Sequence, residues 1–313
     1  MKKISLLFMS VLLGISLMAQ NSANLKLNLE KNKVYKLKST SEQTISQTVN
    51  GIQQTTSVNS NSVVSIKMVD GSADFLIAEV RFDTIITQTN AMGQIININS
   101  SLAGDIKSTE MADVMTCIMN RLSKNALYVK MDYTGKVIEI VNSKMLTDII
   151  TKDTSSITGA AAPMIKMQIK NTISDKSLKT MVEMITGNLP GKQVAKGDKW
   201  DVTVNMNSGG MSLDIISTYK LDGVQGNNAN INAESNIQTA NNAEPLEYGP
   251  AKITYGDIKG LAKSTMVLDM QSGLLISSTT KTHIAGNLSL NAQGKNMTIP
   301  LEIDGESKVI AMP

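Results

Sequence analysis

Between Val34 and Val49 the chain places Tyr35, Leu37, Ile45 and Val49 on one face of an extended segment and Lys36, Lys38 and Ser46 on the other. A period of two fits a strand with one buried and one wet face and does not fit a helix. The pattern recurs. Val64, Ile66 and Met68 align after Gly51, Asp70-Gly71 turns the chain, and Ala73 to Thr89 returns with Phe75, Val80 and Phe82. A weaker segment carries Ile96 and Ile98. Long strands with Ser-, Thr- and Asn-rich outer faces and short turns predict an antiparallel meander.

The period then changes. Met111, Val114, Met115, Ile118, Met119 and Leu122 form one stripe at helical spacing. Thr109 is the expected cap, with Glu110 and Asp113 near the positive end. A short helix is expected after Ser143, carrying Met145, Leu146, Ile149 and Ile150. Between Pro163 and Ile173 the residues Ile165, Met167 and Ile169 fit a strand as well as a helix. A clearer helix follows Ser174, aligning Leu178, Met181, Val182 and Ile185 before Gly187 and Pro190-Gly191 end it.

From Trp200 the strands resume. Trp200, Val202, Val204 and Met206 alternate, Gly209-Gly210 is the expected turn, and Leu213, Ile215, Tyr219 and Leu221 share a face. Ile231, Ala233 and Ile237 mark the next strand, and Asn241 to Gly260 reads as a long loop. The last strands are expected over Leu261–Met270, Leu274–Leu290 and Met297–Ala311. Asp132-Tyr133-Thr134-Gly135 resembles Asp269-Met270-Gln271-Ser272-Gly273, and Ile66-Lys67-Met68 with its Gly turn resembles Tyr219-Lys220-Leu221. A duplication and the recurrence of local turn chemistry both account for this.

Composition narrows the chemistry. Twenty methionines stand beside three phenylalanines and one tryptophan, so the interior is filled by deformable side chains and has few aromatic platforms. Met as an ordinary core filler and Met as the lining of a plastic apolar pocket both fit that usage. The formal net charge is +3 and falls to +1 without Lys2 and Lys3. Arg81 and Arg121 are the only arginines, which argues against a nucleic-acid partner. Cys117, the only cysteine, excludes an intramolecular disulfide and reads as a small buried hydrophobe.

His283 is the only histidine and has no evident partner in sequence, and there is no G-x-S-x-G turn. With one His and one Cys the chain lacks the usual zinc ligand set, and no cofactor motif is present. Asp70 and Asp198 adjoin glycine, and Asp132 and Asp269 each precede one within four residues, where a turn role accounts for them. A hydrolase built on paired carboxylates needs two acids that meet in space, and no pair stands out.

Lys2 and Lys3 precede an apolar run from Ile4 to Met18, and Ala19 is a small residue at its end. This is the pattern of a signal peptide over 1–19, too short for a spanning helix. No cysteine follows it for lipid attachment. The expected product is a soluble periplasmic or secreted protein beginning near Gln20, with no transmembrane segment.

The run from Leu189 to Trp200, L-P-G-K-Q-V-A-K-G-D-K-W, resembles a signature of uncharacterised exported Bacteroidetes proteins, a domain of unknown function with a G-D-x-W element. Lys33 to Leu37, Thr48 to Gly51 and Leu268 to Gly273 extend that resemblance. More distantly, long wet-backed strands with a methionine-rich helical insert are similar to half-barrel lipoprotein carriers. That likeness implies a curved sheet over helices enclosing an apolar cavity.

The expected fold is α+β, mainly antiparallel β, as a curved sheet or half-barrel packing on an inserted methionine-rich helical segment. The expected organisation is one β-rich domain over 20–313, with helices within 109–187 and two candidate halves, 33–142 and 196–313. The functional expectation is a non-enzymatic protein that binds an apolar ligand such as a lipid between sheet and helices. Its candidate lining is Met111, Met115, Met119, Met181 and Ile185. An envelope interaction or scaffold protein is the alternative, with a carboxylate hydrolase behind it.

Overall fold

A computed structural model describes residues 22–159, 161–208, 211–241, 243, 245–248, 251–292 and 295–313. The expected signal peptide and the Gly209-Gly210 turn lie outside the described residues. In chain order the strands and helices are β1 (Ser22–Leu25), β2 (Val34–Val49), β3 (Ile52–Gly71), β4 (Leu76–Ala91), β5 (Gln94–Asn99), α1 (Met111–Lys124), β6 (Leu127–Met131), β7 (Val137–Ile140), α2 (Ser143–Ile150), α3 (Ala162–Ile173) and α4 (Asp175–Thr186). There follow β8 (Lys192–Ala195), β9 (Lys199–Ser208), β10 (Met211–Gln225), β11 (Asn228–Thr239), β12 (Leu246–Tyr248), β13 (Ala251–Tyr255), β14 (Lys259–Asp269), β15 (Leu275–Ala292) and β16 (Lys295–Met312).

The large sheet is antiparallel, curved and unclosed, in the order β7-β6-β4-β3-β2-β16-β15-β14-β11-β10-β9. Two meanders, one from each end of the chain, meet where β16 pairs with β2. The undecided segment is the helix α3, whose Ile165, Ile169 and Ile173 are buried at a spacing of four with Pro163 in the first turn. The expected loop over 241–260 instead contains β12 and β13. The latter pairs with β15 at Leu288–Ala292, so a distant partner supplies the order. Thr109 does not cap α1. Glu110 holds that position without a side-chain bond, and Ser108 Oγ accepts its N–H.

One face of the sheet builds the core. Leu76, Ala78, Val80 and Phe82 of β4, Val64 and Ile66 of β3 and Leu221 of β10 pack on Val114, Ile118 and Leu122 of α1 and Leu178 and Val182 of α4. Farther along the strands the same face carries a row of small residues in register, Ser60-Ser41-Ser307-Thr280-Ser264-Ala233. The face then turns apolar again at Ile45-Ile303-Ile284, which joins Ile237 and Leu213 in a second cluster. The opposite face is concave at the level of this row. A trough of about 1090 Å³ lies there, lined by Glu42, Glu306, Lys281, Lys263 and Glu234 in one register row.

The N-terminal segment is locked into this frame. Leu25 and Leu27 are fully buried. Leu27 N–H donates to Tyr133 O and Asn28 N–H to Ser272 O. The two turns that resemble each other in sequence therefore grip adjacent residues of one segment.

Candidate functional site at the sheet seam

The main strand order ends on β7 and β9, each with one edge of unpaired backbone groups. Helix α4 lies against both. Ser174 caps it by accepting the Ser177 N–H, Asp175 occupies the first turn, and Gly187 ends it. Its Glu183 Oε1 accepts the Val137 N–H at 2.8 Å, and Lys179 Nζ donates to Ile138 O at 2.8 Å, both on β7. On the other side the Thr180 hydroxyl is shared between Lys176 O of its own helix at 2.9 Å and Asn205 O of β9 at 3.3 Å. Thr186 Oγ1 donates to Gly135 O at 2.8 Å, fixing the helix end to the turn before β7. The seam is thus joined by side chains reaching backbone groups.

A cavity of about 400 Å³ opens beside it, lined by Lys136, Glu183, Leu189, Lys192, Trp200 and Val204. Trp200 stacks on Tyr219 with ring centroids 5.6 Å apart. Both rings are tied to Asn188, whose backbone O accepts Trp200 Nε1 and whose Oδ1 accepts the Tyr219 hydroxyl. Burial pushes the Tyr219 phenol above its usual pKa, so it remains a neutral donor. The G-D-x-W element makes the adjoining corner. Gly197 takes φ +93°, Asp198 Oδ2 accepts the Ala195 N–H, and Trp200 begins the inward face of β9.

The residues singled out by the methionine pattern fall on the helices that face the sheet. Met115 and Met119 are buried in the main core, while Met111, Met181 and Ile185 are half-buried and pack against it. None of them lines the seam cavity. Cys117 is buried. Asp132, Asp198 and Asp269 each accept backbone N–H groups of their own turns. The carboxyls of Glu79 and Glu306 are held below the usual range, the first by hydrogen bonds from Lys67 and Arg81 and the second by Lys308, so neither is a raised-pKa acid. His283, without an evident partner in sequence, lies 2.8 Å from Asp304 Oδ1 and 3.9 Å from Glu302 Oε1.

The edge-sealing residues Thr180, Lys179 and Glu183 were not singled out by sequence. They are polar positions beside an apolar stripe, and their partners are backbone atoms of strands far away in the chain.

Fold and seam together define an α+β protein in which an open curved antiparallel sheet is closed by a helix. The chain belongs to a family of unknown function (DUF6263), which matches residues 73–275. No curated protein sequence matches it. Among solved structures it is similar to lipovitellin, from a study of lipid–protein interactions, at 11% identity and TM-score 0.47, over 91% of this chain and 26% of that one. The chain thus spans about a quarter of that protein. It is also similar to an outer-membrane channel from Pseudomonas putida F1, at 7% identity and TM-score 0.27, over 91% and 97% of the two chains. A DUF1329 family protein from Desulfovibrio piger ATCC 29098 is similar at 9% identity and TM-score 0.15, over 86% and 83%. Among the described residues no helix is long and apolar enough to cross a membrane.

Proposed function

We propose that this is an exported, non-enzymatic binding protein that takes an apolar ligand such as a lipid between its sheet and helices, entering at the seam under α4. The observation that carries the reading is the mode of closure. A backbone ladder would make the sheet a permanent barrel, whereas α4 holds β7 and β9 through side-chain hydrogen bonds. Such bonds contribute about 1 kcal/mol each, so the seam is held less firmly than a strand-paired edge, even though Leu178 and Val182 anchor the helix in the core. Helix α4 carries Met181 and Ile185 half-buried against the core that also holds Met115 and Met119, and methionine side chains re-pack around an irregular apolar guest at little cost. Export rests on the Met1–Ala19 pattern.

Native mass spectrometry of the protein purified from its own envelope fraction, with organic extraction of bound material, tests this. Recovery of a stoichiometric apolar ligand, displaced by Met181→Lys, is the expected result. Repeated recovery of ligand-free protein, together with unchanged protection of α4 on adding lipid, would overturn it.

A further inference from the structure

We propose that His283, Glu302 and Asp304 form a surface site for a first-row divalent metal ion, with zinc as the test ion. The three side chains come from two paired strands. His283 of β15 is the register partner of Asp304 on β16, and Glu302 lies two residues along β16 on the same face. One donor atom from each falls within 4.8 Å of the others. His283 Nδ1 is 2.8 Å from Asp304 Oδ1 and 3.9 Å from Glu302 Oε1. Two ligands on a tetrahedral zinc with bonds near 2.0–2.1 Å stand about 3.3 Å apart, so the two separations from His283 bracket the required spacing and the carboxylate pair, within 4.8 Å, closes on it by side-chain rotation. Because strand pairing fixes all three backbones, an ion needs only side-chain rotation to be gripped.

Charge and donor type agree. Two carboxylates with a neutral imidazole carry a formal charge of −2, matched to a divalent cation, and an imidazole donor favours zinc, nickel or copper over magnesium and calcium. The neighbours on this face are Thr44 and Ser46 of β2, Leu261 and Lys259 of β14, and Lys281 of β15. Lys281 is turned to Glu306, 3.9 Å away, and Glu306 also accepts Lys308 at 2.7 Å. All three ligands are exposed, and His283 and Asp304 border the trough, so water or an exogenous anion can complete the coordination shell. Counting His and Cys in sequence misses such a site, because two of its ligands are carboxylates that only the fold brings to the histidine.

The full chain, stripped with chelator, is titrated with zinc and followed by calorimetry and by the imidazole NMR signals, which report the site directly because His283 is the only histidine. A saturable one-to-one event that shifts those signals is expected, with magnesium giving no shift. His283→Gln, Glu302→Gln and Asp304→Asn should each weaken binding by more than about tenfold, at least the loss that outer-shell changes cause. All three positions are exposed, so unchanged circular dichroism separates loss of the site from loss of the fold. Binding should also weaken on acidification, since the ion competes with the imidazole proton. No saturable shift in the wild type, or binding that persists in any one of the three variants, overturns the site.

Discussion

Glu183 and Val137 are 46 positions apart in the chain, and the carboxylate of the first accepts the backbone N–H of the second at 2.8 Å. A helix side chain here takes the place of the strand that β7 lacks. Removing it leaves an edge N–H without its protein partner. We expect Glu183→Ala to cost about 1 kcal/mol, since water reaches this half-buried edge and replaces part of the bond. Glu183→Gln keeps an oxygen acceptor and should lose less. Denaturant melts give the energies. Hydrogen exchange gives the location: the Val137 amide should exchange faster in the alanine variant while the β2–β3 amides do not change.

Gly135 and Gly226 both have positive φ, +85° and +59°, and differ in what surrounds them. A Cβ on Gly135 would fall 1.8 Å from Thr186 O, backbone that ends α4, whereas a Cβ on Gly226 meets nothing within 4 Å. Gly226→Ala should therefore show the left-handed backbone cost alone, about 1–2 kcal/mol. Gly135→Ala must also push α4 away from the turn and should cost well over that, with loss of the Thr186 hydrogen bond. Thermal melts of the two variants side by side test the contrast.

Much of this architecture is legible in the residues because burial has a period. Tyr35, Leu37, Val64 and Ile66 alternate as strands must, and Leu178 and Val182 repeat as a helix must. Pro163 to Ile173 reads both ways in sequence because Ile165, Met167 and Ile169 satisfy both periods. The decision for α3 comes from the core, which buries Ile165, Ile169 and Ile173 together. The strand β13 was hidden for a different reason: its order is supplied by β15, more than thirty residues away. The seam and the His283 cluster were hidden likewise. Glu183 and Asp304 look like ordinary surface acids until the topology places Val137 and His283 beside them.

Glu79 provides a test in acid. Its carboxylate accepts Lys67 Nζ at 2.7 Å and Arg81 Nε at 2.6 Å and is only 12% exposed. Those two hydrogen bonds hold its pKa below the ordinary 4.5. A depressed folded-state pKa contributes stability that is present above the unfolded value and lost as pH falls through the folded one. Wild-type stability should therefore drop on acidification below 4.5. Glu79→Gln should be less stable at neutral pH by about 1 kcal/mol, a modest value because both partners are partly solvated. The variant should also lose this part of the acid dependence, so urea midpoints for the two proteins converge as pH is lowered.

His283 titrates in the opposite sense. The hydrogen bond to Asp304, helped by the charges of Asp304 and Glu302, holds its pKa above the ordinary 6.5. A raised folded-state pKa means that the favourable charge pairing is fully present below 6.5 and is lost as pH rises through the folded value. The pair is solvent-exposed, so salt should weaken it. In metal-free protein the imidazole NMR midpoint is expected above 6.5, falling toward 6.5 in Asp304→Asn and at high ionic strength. A wild-type midpoint at or below 6.5 would contradict the His283–Asp304 hydrogen bond. Zinc should then abolish the titration over the range where the imidazole stays bound. That separates a histidine merely paired with a carboxylate from one that ligates an ion.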